Sequence, residues 1–221
     1  MSETPTDRPT VEAFPLGMYQ TNCYIVRGTP AGGGSGLFVV DCGQDPEPLL
    51  ARLDELGGAP EVWLLTHAHL DHIGGLYKAR EKFPETPIWI HSAEEHWLQD
   101  AEANLSAFGP MPTTAPPPDR TLQEGETLTL AGFEWKVLHV PGHSPGSAAY
   151  VCESAGLCFG GDALFAGSIG RTDFPGCSME QLSESIKTRL YTLPDETAVL
   201  PGHGPATTIG REQATNPFVQ G

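Results

Sequence analysis

The sequence predicts an α/β domain whose core is a duplicated β-sheet with helices packed outside. Three observations lead there. Units of strand followed by helix occur twice, short apolar runs are closely spaced through the second half, and no stretch of the 221 residues has the character of a domain linker. A chain of this length suits one well-buried domain. Residues 1–10 are expected to be a short frayed tail, since Met1 to Thr10 is polar and carries acids and prolines; residues 11–221 are then the domain. The tail lacks the basic start and apolar stretch of a signal peptide, so a cytoplasmic location is expected.

Cys23 to Val26 and Leu37 to Val40 are β-rich runs, joined by a glycine cluster at 31–36. That cluster has no lysine of a phosphate-binding loop and no helix pattern after it, so it reads as a flexible hairpin loop. Pro46 to Leu56 places Leu49, Leu50, Leu53 and Leu56 at helical spacing and closes on Gly57-Gly58. Val62 to Leu65 is a buried strand running straight into a histidine-rich segment. Ile88 to Ile90 is the next strand, followed by a helix from about Ala93 to Leu105, with Ser92 as N-cap and Glu95 three residues later. Gly109 to Asp119 is too rich in proline for regular structure and reads as a loop. Strands follow at Thr127 to Leu130, Phe133 to Val140, Ala148 to Cys152 and Leu157 to Phe159. Ser178 caps a helix from Met179 to Tyr191 with Gln181 completing the box, and Ala198 to Leu200 is the last strand.

Composition excludes several classes of function. The net charge is −16 and the twelve basic residues are dispersed, which argues against a nucleic-acid partner. Lys78, Arg80 and Lys82 form the one local basic group and read as a solvated helix face. No apolar run approaches the roughly 20 residues of a membrane span, so no membrane partner is expected. The five cysteines are odd in number and contain no Cys-x-x-Cys pair, so neither a disulfide framework nor a thiolate zinc site is expected.

The chemistry is concentrated in His67-Ala68-His69-Leu70-Asp71-His72. For this composition, such a pattern arises by chance roughly once in two thousand chains. His67 and His69, two apart on an extended turn, point the same way and can reach one ion. Asp71 and His72, at the start of a helix, can turn to a second. Imidazole and carboxylate ligands together suit zinc, manganese or iron rather than calcium or magnesium. Further ligands stand after strand-like runs: His143 in Pro141-Gly142-His143, Asp162 in Gly160-Gly161-Asp162, and His203 in Pro201-Gly202-His203. Each neighbours glycine, where the backbone bends tightly enough to approach an ion. His91 and His96 lack this context and read as structural, while His139, four residues before His143, is a candidate donor to the ligands' surroundings.

Together, Thr66 to His72, Pro141 to Ser147, Gly161 to Phe165 and Pro201 to Pro205 resemble the metallo-β-lactamase superfamily, in the right order and over nearly the whole chain after Phe14. Within it, Gly167 to Gly176, Asn22-Cys23-Tyr24 and Asn216-Pro217-Phe218 are similar to the glyoxalase II-like (hydroxyacylglutathione hydrolase) branch. The resemblance implies a four-layer αββα sandwich with the site at the sheet edge. It implies that His67, His69 and His143 hold one divalent ion, that Asp71, His72 and His203 hold a second, and that Asp162 bridges them. Zinc is the expected metal, with iron and manganese as alternatives. Asp71 and Asp162 are the candidate catalytic carboxylates. Asp41 matches a position that supports the site from behind the ligands, and Arg171 one near a substrate carboxylate, with a salt bridge to Asp173 as the other role open to it. Full-length relatives add a C-terminal helical domain that helps to bind glutathione. Here 18 residues follow His203, and Pro205 stands where relatives commonly have a glutathione-contacting tyrosine. The expectation is therefore the branch without that domain.

The resulting expectation is a monomeric or homodimeric hydrolase acting on a small thioester, of hydroxyacyl-glutathione type, through a hydroxide shared by two ions. A thiolate leaving group has a conjugate acid of pKa about 8.5 and needs no strong general acid. The alternative in the same fold is a persulfide dioxygenase using one iron at the equivalents of His67, His143 and Asp162. It shares Gly161 to Leu164 and Gly170 to Phe174 with this chain, but its last histidine is usually followed by Asp-Tyr rather than Gly204-Pro205.

Overall fold

A computed structural model describes residues 8–29, 35–109 and 111–221. Two six-stranded sheets face each other. The first runs in chain order: β1 (Thr10–Leu16), β2 (Thr21–Arg27), β3 (Leu37–Val40), β4 (Trp63–Leu64), β5 (Ile88–His91) and β6 (Arg120–Leu122). β1 to β3 pair antiparallel, and β3 to β6 pair parallel. Between them lie helices α1 (Glu47–Glu55), α2 (Leu70–Ile73) and α3 (Leu76–Lys82). The second sheet contains β7 (Thr127–Leu130), β8 (Phe133–His139), β9 (Ala148–Cys152) and β10 (Leu157–Gly161). After the small hairpin β11 (Leu164–Phe165)–β12 (Ser168–Ile169) and helix α4 (Met179–Ser185), it is completed by β13 (Ala198–Pro201) and β14 (Thr207–Thr208). Helix α5 (Ile209–Thr215) follows.

Strand periodicity builds the layers. Along β2, Cys23 and Ile25 face the helix layer of α1 and α3, where they meet Leu49, Leu53, Leu76 and Ala79. Tyr24 and Val26 face the opposite sheet, packing with Phe38, Trp135, Tyr150 and Phe159. Val151 and Cys158 turn outward onto Leu182, Ile186 and Ile209 of the second helix layer. Because both faces of the central strands are covered, they read as continuous apolar runs rather than as an alternation. This is the αββα sandwich.

Two boundaries and one helix type differ from the sequence expectation. β1 begins at Thr10, which pairs with Arg27, so the first sheet starts one residue before the expected domain start; residues 1–7 lie outside the described residues, as do 31–34 of the glycine loop. The helix expected over 93–105 is a shorter 3₁₀ segment, Ser92–Gln99, capped by His91 rather than Ser92. Its first turn is drawn inward because Glu94 is buried beneath the histidine loops, while Ala115 of the proline-rich loop donates to the Leu98 carbonyl at 2.6 Å. The helix at 179–191 is one run that widens into a π-turn over Ile186–Leu190. β1, β6, β14 and α5 had no separate sequence signal.

Candidate metal centre

The first sheet delivers His67 and His69 from the turn after β4, and the second delivers His143 from the β8–β9 turn. Their ring nitrogens converge: His67 Nε2 to His69 Nδ1 is 3.0 Å, His69 Nδ1 to His143 Nε2 is 2.9 Å, and His67 Nε2 to His143 Nε2 is 3.3 Å. On the far side of two of the rings, His67 Nδ1 donates to Thr66 Oγ1 at 3.1 Å and His143 Nδ1 to the Arg171 carbonyl at 2.9 Å. With protons on those outer nitrogens, the inner lone pairs face each other. They cannot satisfy one another, and a cation is the group that can.

The second group is Asp71, His72 and His203. Asp71 Oδ2 lies 3.1 Å from His203 Nε2 and 3.4 Å from His72 Nε2. Asp162, at the end of β10, stands between the groups. Its Oδ2 is 3.6 Å from His143 Nε2 and 3.4 Å from His203 Nε2, and its Oδ1 is 3.3 Å from His72 Nε2. His72 Nε2 and Asp162 Oδ1 are both buried without a hydrogen-bond partner. With the His72 proton on Nδ1 both orphaned atoms present lone pairs, and two such acceptors aimed into one cluster fit a bound divalent ion. Gly202 makes the approach possible: a Cβ there would stand 2.1 Å from Asp162 Oδ1 and 2.7 Å from His72 Cε1.

The electrostatics agree with that fit. Burial, then the neighbouring imidazoles, hold His67 well below the usual histidine range and His69 at about 3, so both are neutral, the form that binds metals. Burial would lower His203 too, but the Asp162 and Asp71 carboxylates outweigh it and pull His203 up to about 9. Burial would raise Asp71, yet His72 and His203 bring it down to about 2. An ion entering the second group therefore displaces protons.

Residues distant in sequence fix the ligands. Asp41, at φ 57° just past β3, accepts from the Thr66 amide and hydroxyl and from His72 Nδ1, each at 2.8 Å. Thr21 Oγ1 donates to Asp71 Oδ2 at 2.7 Å. Asn22 Nδ2 and Tyr24 OH hold the His203 turn through the Pro201 carbonyl, at 3.0 and 2.7 Å. His139 Nε2 donates to the Pro145 carbonyl at 2.8 Å and so braces the His143 turn without touching a ligand. His91 stacks on His139 at 4.0 Å, and His96 is exposed; neither joins the cluster. The sequence reading missed the roles of Thr21, Thr66 and Glu94, none of which lies in a recognisable spacing.

Arg171 lines the mouth of the site, but its guanidinium is engaged in a two-pronged bond to Asp173, both contacts 2.7 Å, and stacks on Phe174 at 3.9 Å. The salt bridge, the other role open to it, is thus the arrangement the structure has. The cleft above the ligands has a volume of about 560 Å³ and is walled by Tyr19, Leu105, Phe108, Phe165, Ile169 and Phe174. Among the described residues, its lining outside the cluster contains no carboxyl, thiol or imidazole group.

Residues 16–203 match the family model of the metallo-beta-lactamase superfamily. The chain belongs to this superfamily. Among its curated relatives, a probable metallo-hydrolase of Bacillus subtilis is 40% identical over 94% of this chain and 96% of its own length. The hydroxyacylglutathione hydrolase GloC of Haemophilus influenzae is 37% identical over 95% of this chain and 97% of its own. Two solved structures are each 40% identical. The B3 metallo-beta-lactamase BLEG-1 has a TM-score of 0.88, covering 96% of this chain and all of that one. TTHA1623 in a di-iron-bound form has a TM-score of 0.79, covering 95% and 100%. Both groups of potential ligands thus sit in a metallo-hydrolase fold. No helix of the described residues is long and apolar enough to cross a membrane.

Proposed function

We propose that this protein is a thioesterase with a dinuclear metal site, acting on small hydroxyacyl-glutathione-like thioesters. The observation that carries the proposal is two ligand groups joined by Asp162 at the floor of a cleft whose described lining, outside the cluster, has no carboxyl, thiol or imidazole group. Divalent ions bound there supply Lewis acidity and a water whose pKa is lowered toward neutrality. The protein's own residues do the rest. Thr66, Asp41 and the Arg171 carbonyl fix the imidazoles, so that little reorganisation is needed during reaction. Phe108, Phe165 and Phe174 keep bulk water from the acyl group. With no carboxyl, thiol or imidazole in the described lining outside the cluster, and the Tyr19 phenol only a weak acid, the site suits a leaving group that departs as an anion, and a thiolate, pKa about 8.5, does so. The relationship to GloC supports the same substrate class.

The orphaned His72 Nε2 weighs against the one-iron dioxygenase, which would leave that nitrogen unused. The experiment is a substrate panel on protein reconstituted with zinc, iron or manganese: a hydroxyacyl-glutathione thioester, a short neutral thioester, a β-lactam and a persulfide, with oxygen uptake followed. The expected result is thioester hydrolysis with two metal equivalents and no oxygen consumption. Preference for the β-lactam, or oxygen consumption with one equivalent of iron, overturns the proposal.

A further inference from the structure

We propose that Glu94 is a positioning residue for the His67–His69–His143 group, clamping together the two loops that carry those histidines. Its Oε2 accepts from the Ala68 amide at 2.6 Å and its Oε1 from the Gly146 amide at 2.6 Å. Ala68 lies between His67 and His69, and Gly146 lies three residues after His143. One carboxylate therefore ties the first-sheet loop to the second-sheet loop at the level of the ligands.

Glu94 is fully buried, and among the described residues no lysine, arginine or histidine forms a salt bridge with it. Burial pushes its carboxyl above the usual range, while hydrogen bonds from Ser144, Gly146 and Ala68 oppose the rise. A buried acid without a cation is expensive to retain. Two short amide bonds, together with the Ser144 hydroxyl, are what offset the cost here. The clamp also explains Gly146, where a Cβ would stand 2.8 Å from Glu94 Cγ. The surroundings keep the carboxylate in place: Trp97 and Leu98 of the same 3₁₀ segment are buried, whereas Glu95 and His96 are exposed. The inference rests on the metal-centre reading and not on the identity of the substrate.

The geometry gives the substitution a definite outcome. Glutamine has the shape of glutamate but turns an NH₂ toward one of the two amide N–H groups, so one contact is lost and becomes repulsive. The test is a competition titration with cobalt(II) on metal-free protein. Reference variants His69→Ala and His203→Ala isolate the second and first groups respectively. Wild type should take up two equivalents. Glu94→Gln in the His203→Ala background should bind its single ion about 10–100-fold more weakly, the range for partners behind the ligands. In the His69→Ala background it should change affinity less than about threefold, since the Glu94 carboxylate bonds the Ala68 and Gly146 amides and no residue of the second group. Gly146→Ala, which presses one methyl on the clamp, should reproduce the first-group loss if Glu94→Gln does not fold. A lower melting temperature with unchanged first-group affinity, or unchanged affinity in Gly146→Ala, overturns the assignment. Fewer than two equivalents in the wild type overturns the metal-centre reading beneath it.

Discussion

Asp41 accepts a hydrogen bond from His72 Nδ1 at 2.8 Å, and this one contact decides which nitrogen of His72 faces the cluster. The same carboxylate holds Thr66 through its amide and its hydroxyl, and Thr66 in turn accepts from His67. Asp41 therefore governs one imidazole in each group of ligands.

Asp41→Ala should lower metal affinity about 10–100-fold, since the tautomer and orientation of His72 are no longer set. Asp41→Asn should recover part of it by keeping an acceptor for Thr66. Titration with a chelating indicator measures both. Equal affinity in Asp41→Ala and wild type would show that packing alone orients His72.

Asp162→Ala should weaken both groups, because its carboxylate approaches His143 on one side and His72 and His203 on the other. Turnover should fall by more than about 100-fold, beyond the loss typical of residues behind the ligands. His96→Ala, on an exposed ring outside the cluster, should leave metal content and rate unchanged. Near-normal metal content in Asp162→Ala refutes the bridging role.

Arg171 and Asp173 yield a contrast between two substrates. Arg171→Ala should raise KM for a thioester bearing a carboxylate, leave kcat within a few-fold, and matter little for a short neutral thioester. Asp173→Ala frees the guanidinium and should lower KM for the acidic substrate. If Arg171→Ala impairs both substrates equally and lowers the melting temperature, the pair serves to hold the loop instead.

His91 provides a pH dependence away from the ligands. Burial, then the charge of stacked His139, pushes it down to about 4 from an unperturbed 6.5. In the unfolded chain it takes up a proton at higher pH than in the folded one, so its contribution is fully present above about pH 6.5. That contribution is lost progressively as pH falls toward 4. Thermal melts of the wild type should show this loss, and His91→Gln should flatten it over the same interval. Parallel pH profiles for the two proteins would show that other groups cause the acid destabilisation.

The candidate ligands were legible in the sequence because each stands in a local pattern: two histidines two residues apart, an Asp-His pair opening α2, and single residues beside glycine after an apolar run. The layers were legible for a similar reason. Runs such as Ile25–Val26 and Leu37–Val40 are apolar on both faces, and Leu49, Leu50 and Leu53 keep a helical period. The helix expected over 93–105 shows where local pattern misleads. Ser92 and Glu95 have capping spacing, yet Glu94 goes inward to amides 26 and 52 residues away, and the segment tightens accordingly.

The sequence by itself determined which residues can hold metal and that strands would carry them to a common edge, since ligand type and strand period are properties of neighbouring residues. Only the tertiary structure decided how those ligands are oriented. Asn22 reaches a carbonyl 179 residues away, Asp41 reaches His72 across 31, and Arg171 pairs with Asp173 where its position also allowed a free guanidinium. The reason is physical. A buried carboxylate or amide takes whatever complementary group the packed chain brings within about 3 Å, and that group leaves no mark on the spacing of its own neighbours.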